Sequence, residues 1–264
     1  MNDIFNIKRF GWLFRKSIME RPALILGLLS VTLAVTFLCY AFLQTTAGIA
    51  KAQGASFMIG FFIGGSFMAS SVFSYFNSNA SGSSFLMLPA SHFEKWLCGV
   101  LIAGVLFTLV YFGFYRIIDI IFVNHYRNGL DQSNPNYQTL YHAVDLFTFD
   151  NLIAKRIYLM YVNIASAMLL GSLYFNKVSY IKMALIICAF VACTYLLNFM
   201  MVSMLFKQVD MANPFDHVFL KVNNDVGLVG LPSGIDQAFH LITIYIVPIV
   251  VLLTAFVRLT EKEV

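Results

Sequence analysis

Charge is what this sequence most lacks: only 11% of its 264 residues are Asp, Glu, Lys or Arg, while 59% are hydrophobic. A soluble domain usually carries about 25% charged residues, so a water-facing globule is excluded. Cysteine is scarce as well. Cys39, Cys98, Cys188 and Cys193 all lie in apolar stretches with no C-x-x-C and no neighbouring histidine. That excludes a disulfide framework and a zinc site and leaves buried thiols. Catalytic signatures are missing too: there is no H-E-x-x-H, no G-x-S-x-G, no paired acids inside an apolar run and no Walker-A glycine loop. The chain is not expected to be an enzyme or to hydrolyse ATP by itself, and no nucleic-acid partner is expected. Ionisable groups are almost absent from the long apolar runs, which argues against a proton- or ion-coupled mechanism. Arg116 and Asp119, one helical turn apart, are the exception. They read as an interfacial pair with Arg116 reaching outward.

What the sequence has is long apolar runs. A hydrocarbon core about 30 Å thick takes roughly 20 residues of helix, so the chain has length for six spans and modest loops. The spans are expected at 22–47, 56–76, 96–123, 157–175, 183–206 and 239–257. The fold class is an all-α integral membrane protein, one transmembrane domain over 1–264. The first apolar stretch has no short core followed by a small-residue cleavage site, so it reads as a retained span. Ahead of it, residues 5–21 predict an amphipathic helix on the membrane surface. Ile7, Phe10, Phe14 and Ile18 share one narrow arc at about 100° per residue, and Lys8, Arg9, Arg15 and Lys16 face away from it.

Basic residues set the expected orientation. Ten lie before span one, before span three, between spans four and five, or after span six, and six lie on the opposite side. The excess places both termini in the cytoplasm and leaves 124–156 and 207–237 as two outer loops, with a short one at 44–55. In the first large loop, Tyr137, Leu140, Tyr141 and Val144 follow the spacing of a short amphipathic helix. His142 and Asp145 stand at metal-ligand spacing there, but two ligands make no convincing site. In the second, Gly227, Gly230, Pro232 and Gly234 interrupt the apolar residues Leu228, Val229 and Leu231, a run that can dip into the membrane when protein surrounds it.

Within span two, Ser56, Gly60 and Gly64 form one row of small residues, and Ser66, Ser70 and Ser74 form another. Such rows allow close helix packing, either inside the chain or between two chains. Asn163 and Asn198 are expected to hydrogen-bond between helices.

The segment 77–95 between spans two and three carries the most specific signal. It ends in Leu86-Met87-Leu88-Pro89-Ala90-Ser91-His92-Phe93-Glu94-Lys95. Ser91 and Glu94 make an S-x-x-E capping box, so a helix begins here and runs on into span three. Leu86, Met87 and Leu88 are apolar residues of a loop and call for a burial partner. This run, after a long second span, resembles permease subunits of the type-two ATP-binding-cassette (ABC) exporter family, in particular a bacterial branch with an LPAS-x-x-EK signature. Leu88, Pro89, Ala90, Ser91, Glu94 and Lys95 match it. The layout of leading helix, six spans and cytoplasmic ends is similar, although the loop at 44–55 is short where the family often has its large outer loop.

The resemblance implies a bacterial inner-membrane permease, paired with a second copy or a homologous permease in contact with membrane lipid. It also implies separate ATPase subunits that dock on Leu86, Leu88, Pro89, Ser91, Glu94 and Lys95. ATP and Mg would then bind the ATPase, and no cofactor would bind this chain. It further implies short re-entrant helices in the loop before span six. A non-transporting scaffold or sensor that uses its outer loops for partners is the alternative.

Overall fold

The structure is a computed structural model, and it describes residues 5–133, 135–206, 209–214, 217–222, 225–230 and 234–262. Among them are six helices long and apolar enough to cross a membrane, so the chain is a helical, multi-pass membrane protein. A leading helix, Ile7–Met19, comes first; Asn6 caps it by accepting the Lys8 and Arg9 N–H groups. Span one is Pro22–Ala47, with Pro22 at the first helical position, where its missing N–H does no harm. Span two is Ile49–Val72. Span three is continuous from His92 to Asn128, and Leu101–Leu106 within it is a π-helical stretch. Spans four and five are Leu152–Tyr174 and Ser179–Leu205. Span six is built of Ile235–Leu241, a π-helical stretch at Ile242–Ile246 and Val247–Glu261.

Several expectations are corrected at the ends of these elements. The stretch 44–55 is not a loop. Gly48 alone separates spans one and two, because its φ of 83° turns the chain where other residues would be strained. Among its described residues up to Gly230, the second large loop forms strands where the resemblance implies short re-entrant helices. Val209–Ala212, His217–Val222 and Asp225–Gly230 form an antiparallel meander, β1-β2-β3. Gly227 and Gly230, which read as loop breakers, pair within it with Leu220 and His217. The ladder satisfies the backbone groups that a membrane-dipping loop would leave open, and the valines of all three strands favour the pleat. Leu231, Pro232, Ser233 and Lys207 lie outside the described residues. Asn198 donates to the Ala212 carbonyl of β1 at 3.2 Å, so it ties the sheet to span five and does not bridge two spans.

Asn163 does bridge, reaching the Ile244 carbonyl of span six at 3.4 Å. Two residues away, Tyr161 donates to the Ala103 carbonyl of span three at 2.6 Å. Both acceptors belong to the π-helical stretches, whose altered pitch frees carbonyls for outside donors. The core lies where spans one to four meet. Phe107, Tyr111, Tyr115 and Asp119 run down one side of span three, against Phe57 and Phe61 of span two. The small row of span two faces span one. A methyl at Gly60 would strike the Thr36 hydroxyl and the Tyr111 hydroxyl, and one at Gly64 would strike Thr32. Ser70 bonds Ser179 of span five at 2.9 Å. These small residues therefore make packing contacts within the chain.

Candidate functional site

The segment between spans two and three folds into a tight elbow. After span two, Ser78 caps a short helix, Asn79–Leu86, and the Ser81 hydroxyl donates back to the Tyr75 carbonyl. Phe85 is buried and stacks on Tyr75 with ring centroids 4.7 Å apart. The chain then turns through Met87 to Ala90, and Ser91 opens span three with both halves of its capping box formed. The apolar triplet finds its partner mostly inside the molecule. Leu86 and Leu88 are half-buried against the core, whereas Met87 is 82% exposed and Pro89 is exposed beside it.

Glu94 does more than close the capping box. It has no solvent exposure and accepts four bonds: from the Ser91 N–H at 2.9 Å, the Asn6 N–H at 2.7 Å, Arg9 Nε at 2.7 Å and Arg9 Nη2 at 2.8 Å. The guanidinium thus grips both carboxylate oxygens, the geometry in which Arg and Glu bind most specifically. Lys95 is also buried, and its ammonium reaches the Leu86 carbonyl at 2.6 Å across the turn. Glu94 and Lys95 therefore point inward. They shape the elbow and do not offer their charges at its surface.

The leading helix is the other half of this arrangement. Its buried residue is Leu13, and Phe10 and Phe14 pack on the core from the neighbouring arc; Ile18 is half-buried and Ile7 is 75% exposed. The helix thus has a protein-facing side, with Arg9, Leu13 and Ser17, as well as the apolar arc legible in its sequence. Beyond its end, Arg21 donates to the Ser74 hydroxyl at 2.7 Å and lies over the Tyr75 ring at 3.8 Å. Burial, then the Glu20 carboxylate, push the Tyr75 phenol up to about 12 against the pull of Arg21, so it stays protonated and donates to Glu20 at 3.4 Å. Between leading helix, span two and elbow lies a cavity of about 40 Å³, edged by Ser17, Arg21, Ser71, Lys95 and Cys98, with room for a water molecule. On the other flank, Trp96 donates to the Leu252 carbonyl of span six at 3.0 Å and packs with Phe93 and Phe256.

At the far end of the bundle, Asp119 is a second buried carboxylate. Tyr40, Gln53 and the Phe147 backbone donate to it at 3.0, 2.9 and 2.7 Å, while Arg116 stands 4.0 Å away. It is a junction of spans one, two and three with the loop, not only half of an interfacial pair. Among the described residues no cluster of three or more His, Cys, Asp or Glu is placed for a metal ion. Asp145 pairs with Arg127 at 3.2 Å, and His142 packs edge-on against Tyr141. Sequence reasoning missed Asn6, Arg9 and Leu13 at the elbow, and Tyr40 and Gln53 at Asp119. The four-residue spacing of Phe107, Tyr111, Tyr115 and Asp119 is the signal that marks the inner side of span three. No protein-family model, curated protein or solved structure matches this chain.

Proposed function

We propose that this chain is the membrane-spanning permease subunit of an ATP-driven ABC exporter in a bacterial inner membrane, with both termini cytoplasmic. Two permeases pair, and each docks a separate ATPase that binds ATP and Mg. The observation that carries this reading is the elbow. Met87 and Pro89 stand exposed at the tip of a turn whose two flanks are fixed, one by Phe85 on Tyr75 and the other by Glu94 on Arg9. A stiff turn with an apolar tip suits transmission of a push, since force on the tip passes through Glu94 to the leading helix and through Trp96 to span six. The match of Leu88 to Lys95 with the LPAS-x-x-EK pattern supports the same reading.

Met87 is the discriminating position, because its side chain contributes little to the chain's own core. Purification of the tagged chain from its native membrane is expected to bring down an ATPase with a Walker-A loop. Met87→Asp should reach the membrane at normal levels yet lose that ATPase, since a charge at a desolvated contact costs roughly 2–5 kcal/mol. If neither chain brings an ATPase down, the permease reading fails and a non-transporting scaffold takes its place. If Met87→Asp keeps a stoichiometric ATPase, the elbow is not the docking point.

A further inference from the structure

The loop between spans three and four is held by side chains of the spans. From Val144 to Thr148 it runs without helical turns; Leu146 and Thr148 are exposed, Phe147 is buried and Phe149 half-buried. Side chains from the spans bond its backbone at four places. Arg127 donates to the Val144 carbonyl at 2.8 Å and Gln53 to the Asp145 carbonyl at 2.9 Å. The Phe147 N–H donates to Asp119 at 2.7 Å, and Tyr158 donates to the Phe149 carbonyl at 2.9 Å. The two phenyl rings enter one aromatic cluster, 5.5 Å from each other and both against Phe57 and Tyr115. Phe147 lies 4.8 Å from Phe57 and 5.6 Å from Tyr115, while Phe149 stacks on Phe112 at 4.9 Å with Arg116 over it at 4.6 Å.

Backbone groups bonded from the site and alternate side chains seated in it are the chemistry by which a cleft takes an extended peptide. The bonds to backbone are indifferent to sequence, and the shared cluster accepts two rings from positions two residues apart. We propose that this end of the bundle, opposite the leading helix, is a binding site for an extended peptide with aromatic residues at alternate positions. The chain's own segment 144–149 occupies it in this structure. Vacating the site does not strand its charge, because Asp119 keeps Tyr40 and Gln53 as donors and has Arg116 within 4.0 Å. The described residues of 129–143 are mostly exposed and give the segment slack to withdraw. The inference does not depend on the permease reading; under that reading, such a peptide is the cargo class.

The test uses the full chain in lipid nanodiscs and a fluorescein-labelled, amidated peptide of the loop's own sequence, Val-Asp-Leu-Phe-Thr-Phe-Asp. An occupied site lowers apparent affinity by the fraction of time it is open, so Phe147→Ala/Phe149→Ala, which loosens the resident segment, should bind the peptide about tenfold tighter than the native chain. A peptide of the same composition with its two rings adjacent should not show this gain. A second measurement covers misfolding of that variant. Thr148→Cys, at an exposed position, carries an environment-sensitive dye in a chain whose Cys39, Cys188 and Cys193 are replaced by Ala. Saturable change of its emission on adding the peptide supports the proposal. No change up to the peptide's solubility limit overturns it, as does equal response to the adjacent-ring peptide. Neither readout involves an ATPase, so failure here is separate from failure at the elbow.

Discussion

At Glu94 a carboxylate without solvent exposure has four donors around it, two of them from one guanidinium. A buried charge is tolerable only when so surrounded, and removing one partner costs more than the pair contributed on forming. Arg9→Ala leaves the carboxylate with the Asn6 and Ser91 N–H groups alone. Because Arg9 is 36% exposed and partly screened, we expect a loss of about 2–4 kcal/mol, read as a lower unfolding midpoint of the detergent-solubilised chain. Arg9→Lys should recover only part of it, since an ammonium cannot span both oxygens. A midpoint unchanged in Arg9→Ala would mean that the leading helix is not fastened through this pair. The capping half of Glu94 was legible in the sequence because Ser91 and Glu94 are three residues apart. The Arg9 half was not, since its partner lies 85 residues away and no local pattern links the two.

Elements that follow a local rule were read from the sequence, and those that rest on long-range contacts were not. Six apolar runs gave six spans, and span one has the bounds its hydropathy predicts. The hairpin joining it to span two hangs on the backbone of Gly48, where composition alone reads as a short loop. The sheet at 209–230 escaped because its glycines look like breakers until their cross-strand partners are known. The small row of span two was visible as a packing surface, but which helix it met was not. The Thr32 and Thr36 hydroxyls now identify span one. Gly64→Leu should therefore pry the hairpin apart, at roughly 1–3 kcal/mol for overpacking, and lower the monodisperse fraction after extraction. Gly54→Leu serves as its control. Nothing stands within 4 Å of a Cβ there, and leucine is the better helix former, so extraction should be unchanged or improved. Equal behaviour of the two variants would dismiss the row as a packing device.

For the whole molecule, the two ends of the bundle carry different equipment, and the orientation decides what each can meet. One end holds the leading helix, the elbow, the start of span five and the end of span six, where Lys262 reaches Asn176 at 3.4 Å. Lys8, Arg15, Lys16, Lys177, Lys182 and Arg258 lie at that end, and among the described residues the opposite end has fewer cations, with Lys51, Arg127 and Lys155 there. Since Lys and Arg near span ends are retained on the cytoplasmic side, the elbow should face the cytoplasm and the cluster around Phe147 and Phe149 should face outward. Ser83 on the elbow's short helix and Ser133 in the loop at the other end are both exposed. In a chain with Cys39, Cys188 and Cys193 replaced by Ala, Ser133→Cys should react with a membrane-impermeant maleimide in intact cells. Ser83→Cys should react only after the membrane is opened. The reverse pattern would put Met87 out of reach of any cytoplasmic ATPase and overturn the permease reading, whereas the peptide site, whose argument does not use orientation, would then meet cytoplasmic peptides instead of outer ones.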